Sequence, residues 1–136
     1  MKQIALVAHD SRKRELIRLA TCYKNYLNTM KRIYTTENTG NRLLHSGLHN
    51  LFSVASGPMG GDLEIGSLIV NREIDILIFL IDPLWATPHR DDIGALIRVS
   101  LIYDIPFALN FKSAGLLMTA LQSEGMSAAN FKKKVS

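Results

Sequence analysis

The chain alternates between short apolar runs and amphipathic segments along most of its 136 residues. Five apolar runs show no polar alternation, which is the pattern of parallel strands covered on both faces. These predicted strands span residues 3–8, 32–35, 51–55, 74–81 and 106–109. Between them, apolar residues recur with helical spacing, and the first helix has its stripe at Leu16, Ile17, Leu19, Ala20 and Tyr23. The later helices are predicted at about 41–46, 62–71, 91–103 and 113–122.

Strands that alternate with helices, without a hairpin signal between any two strands, predict an α/β fold. We expect a single-domain, three-layer, doubly wound five-stranded parallel sheet over residues 1–124, followed by a basic, partly ordered tail over residues 125–136. A hydrophobic content of 47% in a chain of this length suits one domain with its own core.

Polar side chains follow four of the five predicted strands. Because ligands bind beyond the carboxyl ends of parallel strands, we expect these side chains to share one edge of the sheet. They are His9, Asp10 and Lys13 after the first strand, Thr36, Asn38 and Thr39 after the second, Ser56, Gly57 and Asp62 after the third, and Asp82, His89 and Asp92 after the fourth. The hydroxyl and amide side chains of 36–39 are donors suited to phosphate oxygens.

The segment SGPMGGD at 56–62 joins a strand to a helix through a turn with three glycines. Glycines let backbone N–H groups approach a ligand, and the helix N-terminus behind them adds donors and partial positive charge. The turn is therefore a candidate anion site. Asp62 at its end could serve as a general base, or it could only cap the helix, as Asp10 or Ser11 is expected to cap the first helix.

Composition narrows the classes of partner. A net charge of +4 favours anionic ligands, but three of the positive charges are Lys132, Lys133 and Lys134 in the expected tail. The 10 aromatic residues form no RNA-binding signature, so we expect no nucleic-acid partner. No secretory signal and no apolar run of roughly 20 residues is found, so we expect no membrane partner. A single cysteine, Cys22, fits a reducing cytoplasm.

Several kinds of catalytic machinery are missing from the sequence. It contains no HExxH metal spacing, no GxGxxG or GxxxxGK[ST] nucleotide loop and no GxSxG nucleophile turn. Neither a metal nor an organic cofactor is therefore expected. What is left is acid and base chemistry on a small phosphorylated molecule.

Five segments, in this order and at these separations, resemble the methylglyoxal synthases: HDSRK at 9–13, TTENTG at 35–40, SGPMGGD at 56–62, DPL at 82–84 and PHRDD at 88–92. The similarity runs from about residue 3 to residue 120. It implies a lyase without metal or cofactor that converts dihydroxyacetone phosphate to methylglyoxal and inorganic phosphate, usually as a homohexamer.

The resemblance also implies roles for individual residues. Asp62 matches the base that removes a proton from the carbon next to the ketone, and His89 matches the histidine at the carbonyl and hydroxyl oxygens. Asp82 and Asp92 match acidic residues close to the base. The implied substrate and phosphate contacts are His9, Lys13, Thr36, Thr39, Ser56 and Gly57, and Asp10, Glu37 and Asn38 lie within the same matching segments.

A second interpretation stays open at the level of sequence. Domains similar to the methylglyoxal synthases also act as regulatory modules that bind phosphates or nucleotides without catalysis. Asp62, His89 and Asp92 favour the enzyme. Glu37 favours the regulatory module, because it places a negative charge in the segment expected to receive phosphate.

Overall fold

The computed structural model describes residues 2–84 and 90–135. Within these ranges five strands form one sheet in which each neighbouring pair is parallel. The strands are β1 (Gln3–Ala8), β2 (Arg32–Thr36), β3 (Leu51–Val54), β4 (Ile76–Leu80) and β5 (Phe107–Ala108), in the spatial order β3-β2-β1-β4-β5. The predicted parallel sheet is confirmed.

Helices follow the strands in the described ranges. They are α1 (Lys13–Cys22), α2 (Lys24–Leu27), α3 (Glu37–Leu43), α4 (Gly61–Val70), α5 (Arg90–Ile102) and α6 (Phe111–Val135), with short 3-10 turns at Asp10–Arg12 and Gly57–Met59. None of these helices has both the length and the apolar character needed to cross a bilayer.

The core has two halves, one on each face of the sheet. In β1, Ile4 and Leu6 face one cluster, and Ala5 and Val7 face the other. The first cluster is covered by α1, α2, α3 and α6, and the second by α4 and α5. Because both faces are covered, the central strands are apolar throughout, and the predicted three-layer arrangement is confirmed.

The strand register brings the carboxyl ends of the central strands to one level. Ala8 lies opposite Leu80, and Thr36 lies opposite Val54. The chain builds outward from β1 to β2 and β3, then crosses to the other side of β1 for β4 and β5. The junction between β1 and β4 is thus the topological switch point, where open α/β sheets form ligand crevices.

Several predicted boundaries are wrong. The second major helix, α3, begins at Glu37 rather than at residue 41, so Glu37 to Gly40 form its first turn instead of a loop. α1 is capped by neither Asp10 nor Ser11, because the chain first makes a 3-10 turn and Arg12 becomes the N-cap residue. The last helix continues to Val135 rather than ending near residue 122.

The extra length of α6 has a simple cause in the sequence. Gly125 disfavours a helix by only about 1 kcal/mol, and the residues after it include alanines and lysines, which are strong helix formers. One glycine is therefore not enough to end the helix. The division into a domain at 1–124 and a tail at 125–136 stays a prediction.

Gly40, near the start of α3, lies where this helix packs closely against the sheet. A β-carbon at this position would lie 2.5 Å from Ser53 Oγ and 2.6 Å from Thr35 Oγ1, so α3 packs against β2 and β3 only without a side chain here. Gly115 in α6 is a matched control, since a β-carbon there would meet no atom within 4 Å.

We predict that Gly40→Ala lowers the free energy of unfolding by about 1–3 kcal/mol through overpacking. Gly115→Ala should leave it unchanged or raise it by up to about 1 kcal/mol, because alanine is the better helix former. Urea unfolding followed by circular dichroism measures both. Equal stability of the two variants would contradict the close packing of α3 on the sheet.

Candidate functional site

The predicted site residues that the structure describes lie near the carboxyl edge of the sheet. β1, β2 and β3 are each followed by a helix or 3-10 turn that starts at this edge, and α5 is the helix that comes next after β4. Neither α1, α3 nor α4 has a side-chain hydrogen bond that caps its N-terminus. First-turn N–H groups with no such cap are donors that an anion can use.

A buried ammonium group stands at the end of β1. Lys13 is only 6% exposed, and its Nζ donates to Asp10 Oδ1 at 2.8 Å and to the carbonyl oxygen of Ala8 at 3.0 Å. These contacts use two of the three N–H donors of the ammonium group. The hydrogen bond from Lys13 lowers the pKa of Asp10, whose side chain is otherwise 90% exposed. Asp10 therefore holds the ammonium group in place.

His9 bridges the ends of β1 and β4. Its backbone N–H donates to the carbonyl oxygen of Leu80 at 3.1 Å, and its Nδ1 accepts the backbone N–H of Asp82 at 2.9 Å. An Nδ1 that accepts a hydrogen bond is unprotonated, so the neutral ring carries its hydrogen on Nε2. Phe79 packs against the ring edge to face, with centroids 5.3 Å apart.

Charge and burial act on His9 in opposite directions. Burial lowers its pKa most, Asp82 and Asp10 raise it, and Lys13 lowers it, with a net shift below the usual 6.5. The low pKa agrees with the hydrogen bond that requires a neutral ring. His9 is thus held as a neutral donor rather than as an imidazolium ion.

Each carboxylate oxygen of Asp82 accepts one hydrogen bond within the protein. Oδ1 accepts the backbone N–H of Leu84 at 2.9 Å, and Oδ2 accepts the hydroxyl of Ser11 at 2.9 Å. These two hydrogen bonds, with Leu84 contributing most, lower the pKa of Asp82. Asp82 stays ionised and anchors the turn after β4.

The segment between β2 and α3 separates into buried and exposed side chains. Thr36 and Thr39 are buried, and Thr36 Oγ1 donates to Thr39 Oγ1 at 3.1 Å. Glu37 and Asn38 are exposed in the first turn of α3. The two threonines are therefore in contact with each other, whereas Glu37 is exposed to solvent.

The glycine turn fixes the start of α4. The carbonyl oxygen of Ser56 accepts the N–H groups of Met59 and Gly61, and Gly60 adopts a left-handed conformation with φ +93°. A β-carbon on Gly61 would lie 2.0 Å from the carbonyl oxygen of Ala55, so only glycine allows this approach. Asp62 follows directly and is buried, with 5% of its surface exposed.

Two carboxylates lie at the starts of neighbouring helices. α4 and α5 pack together where Leu96 Cδ1 approaches Gly66, 3.9 Å from the position of a β-carbon there. Asp62 and Asp92 each precede that contact by four residues, about one helical turn. Both therefore belong to first turns at the carboxyl edge, and Asp92 is half-buried. Each of the two side chains also has interactions within the protein.

Known proteins with similar sequences identify the family. A family model described as an MGS-like domain matches residues 16–109. The methylglyoxal synthase of Exiguobacterium sibiricum is 42% identical over 119 residues, which cover 88% of this chain and 82% of that protein. The methylglyoxal synthase of Enterococcus faecalis is 43% identical over 121 residues, covering 89% and 86%. The chain belongs to the methylglyoxal synthase family.

A solved structure agrees with this family. The crystal structure of methylglyoxal synthase from Elizabethkingia anophelis matches with a TM-score of 0.78 at 37% sequence identity, over 86% of this chain and 76% of that one. The predicted methylglyoxal synthase-like fold is confirmed.

Most of the residues that the methylglyoxal synthase resemblance selected lie at this edge. His9, Asp10 and Lys13 lie at the end of β1, and Ser56 and Gly57 lie between β3 and α4. His89 lies outside the described residues. Within the described ranges no group of three or more His, Cys, Asp or Glu residues could hold a metal ion.

Ser11 makes a long-range contact that its position in the sequence does not predict. It was expected to cap α1, but its hydroxyl instead donates to Asp82, 71 positions further along the chain. The only local signal was its place in the segment HDSRK, between two predicted contact residues. Its partner could not be identified without the strand order, which sets β4 beside β1.

The low pKa of His9 makes stability depend on pH. The unfolded chain binds the proton near 6.5, whereas folded His9 binds it only at lower pH, so the stabilisation is complete above 6.5 and is lost as the pH falls through the folded pKa. The pKa values of Asp10 and Asp82 are lowered from 3.8, so the stability that these carboxylates contribute is lost only at more acidic pH than that of His9.

We predict that His9→Gln is less stable than the wild type at pH 7.5 and that the difference becomes smaller by pH 5, because glutamine does not titrate. Urea unfolding at a series of pH values measures the difference. His45→Gln, at an exposed histidine between α3 and β3, is the control and should keep the pH dependence of the wild type. A difference for His9→Gln that does not change with pH would contradict the neutral, hydrogen-bonded ring.

Proposed function

We propose that this protein is a methylglyoxal synthase, a lyase that converts dihydroxyacetone phosphate to methylglyoxal and inorganic phosphate. The observation that carries the proposal is the buried carboxylate of Asp62 at the start of α4, directly behind a turn that only glycine permits. Relatives named methylglyoxal synthase, at about 42% identity over most of the chain, support the same activity.

The proposed reaction begins with proton abstraction. Asp62 takes a proton from the carbon that carries the hydroxyl group, next to the ketone, and an enediolate forms. The enediolate then expels phosphate as the C–O bond breaks, and the resulting enol becomes methylglyoxal. Phosphate leaves only if that C–O bond is perpendicular to the plane of the enediolate, where it overlaps with the π system. The groups that hold the phosphate therefore determine the product.

Phosphate binding is assigned to the groups gathered from separate loops. The ammonium of Lys13 supplies charge, and the first turns of α3 and α4 supply N–H donors without side-chain caps. The hydroxyls of Thr36, Thr39 and Ser56, the backbone of Gly57 and the Nε2–H of His9 supply further donors. None of these groups needs a metal or a cofactor.

The acidic residues around the base have different roles in this proposal. Asp92 lies in the first turn of the neighbouring helix, at the level of Asp62, and we assign it a role close to the base. His89 is assigned to the carbonyl and hydroxyl oxygens on the resemblance alone. Asp82 has both oxygens engaged within the protein, so we assign it to holding the site together rather than to proton transfer.

Glu37 does not favour a regulatory module over the enzyme. Its side chain is exposed, and an exposed carboxylate is screened by water, so its effect on a nearby phosphate amounts to roughly 0.2–1 kcal/mol. That effect is too small to abolish binding. We further propose that the enzyme works in the cytoplasm as a homohexamer, on the resemblance, and that neither nucleic acid nor membrane is a partner.

The proposed function predicts a specific defect in Asp62→Asn. This variant should reduce turnover at least about 10²-fold, because a general base contributes about 10²–10⁴-fold, while substrate still binds. Methylglyoxal trapped from dihydroxyacetone phosphate measures turnover, and competition by inorganic phosphate measures occupancy of the site. The wild type should form methylglyoxal without added metal.

Asp104→Asn is the matched control. Asp104 is an exposed carboxylate with φ +53°, a conformation that asparagine tolerates well, and it lies in the turn after α5. Its replacement should leave turnover unchanged. Near-normal turnover in Asp62→Asn would remove Asp62 from the role of base, and no product from folded wild-type protein that binds phosphate would overturn the enzyme assignment.

A further inference from the structure

Two neighbouring chain segments meet at the switch point of the sheet through a short hydrogen-bond network. Ser11, in the 3-10 turn after β1, donates its hydroxyl to Asp82 Oδ2 at 2.9 Å. Asp82 in turn donates its backbone N–H to Nδ1 of His9 at 2.9 Å. The network thus returns to the segment from which it started, two residues before Ser11.

The second oxygen of Asp82 completes a local turn. Oδ1 accepts the backbone N–H of Leu84 at 2.9 Å, an Asx turn that fixes residues 82–84. An Asx turn alone would fix the shape of this turn but not its position relative to β1. The hydroxyl of Ser11 supplies that second constraint, because Ser11 lies only two residues after His9, in the turn that follows β1.

We propose that Ser11 is a positioning residue: through Asp82 it holds His9 in the tautomer with hydrogen on Nε2, the donor that the proposed function assigns to the substrate. The role of the Nε2–H in catalysis rests on the proposed function, whereas the tautomer itself does not. Ser11 touches neither the reacting carbon nor the phosphate in this proposal.

The geometry explains why one hydroxyl matters at this place. The N–H of Asp82 reaches Nδ1 only while the turn after β4 stays against the end of β1, and the backbone bond from His9 N–H to the carbonyl of Leu80 lies before that turn. Without Ser11, residues 82–84 can move away while β1 and β4 stay paired. The ring would then populate both tautomers, because the backbone N–H that selects an unprotonated Nδ1 is lost.

Three charged groups act on the His9 ring besides this network. Asp82 and Asp10 raise its pKa and Lys13 lowers it. Ser11→Ala removes none of these charges, but a turn that moves away takes the carboxylate of Asp82 with it and weakens its effect on the His9 pKa, so the tautomer rather than the pKa reports the lost constraint. The same variant leaves the buried ammonium group and its contacts intact.

Nitrogen NMR of the histidine rings in the whole protein tests the proposal directly. In the wild type at pH 7.5, His9 should show an unprotonated Nδ1 and a protonated Nε2. Ser11→Ala should show a mixture of the two tautomers. Ser11→Thr keeps the hydroxyl and should restore the wild-type spectrum, and Ser113→Ala, at an exposed serine in α6, should not alter it.

Kinetics provide the second measurement. Ser11→Ala should lower kcat about threefold to tenfold, the range for one lost hydrogen bond. Ser11→Thr should recover the wild-type kcat. An unchanged His9 tautomer in Ser11→Ala would overturn the proposal, whatever happens to turnover. If wild-type protein forms no methylglyoxal, the proposed function fails, but the NMR result still decides the tautomer.

Discussion

The close approach of Gly61 to the carbonyl oxygen of Ala55 determines where α4 begins. A β-carbon at this position would lie 2.0 Å from that oxygen, so no other residue allows α4 to start so near the end of β3. The next residue, Asp62, is buried as a consequence, with its backbone in the first turn of the helix. Gly60, in a left-handed conformation, lets the chain turn from the 3-10 turn into α4 at this point.

The parallel sheet brings the other side chains of the candidate site together. Because the central strands end at one level, side chains from separate loops meet without any long loop to carry them. The ammonium of Lys13 and the neutral ring of His9 are each fixed by contacts to the backbone at the ends of β1 and β4. Groups held in this way need little rearrangement when an anionic substrate arrives.

Sequence patterns predict burial well and long-range contacts poorly. β1 is predicted with its observed bounds, whereas β4 is predicted too long because Ile74 is buried outside the strand ladder. The start of α3 is missed because Gly40 is selected by contacts with Thr35 and Ser53, of which the latter lies in another strand. The partnership of Ser11 with Asp82 is missed for the same reason. Asp62 and Lys13, by contrast, could be selected from the sequence, since each lies at the start of the first long helix after its strand.

A crystal structure with a planar hydroxamate mimic of the enediolate tests the role of Asp62 most directly. A carboxylate oxygen of Asp62 should lie within about 3.2 Å of the atom that stands for the deprotonated carbon, as a general base requires. The phosphate of the mimic should contact the first turn of α3 and the ammonium group of Lys13, with Glu37 directed into solvent. An Asp62 side chain turned away from the mimic, or a site filled by Glu37, would contradict the proposed mechanism.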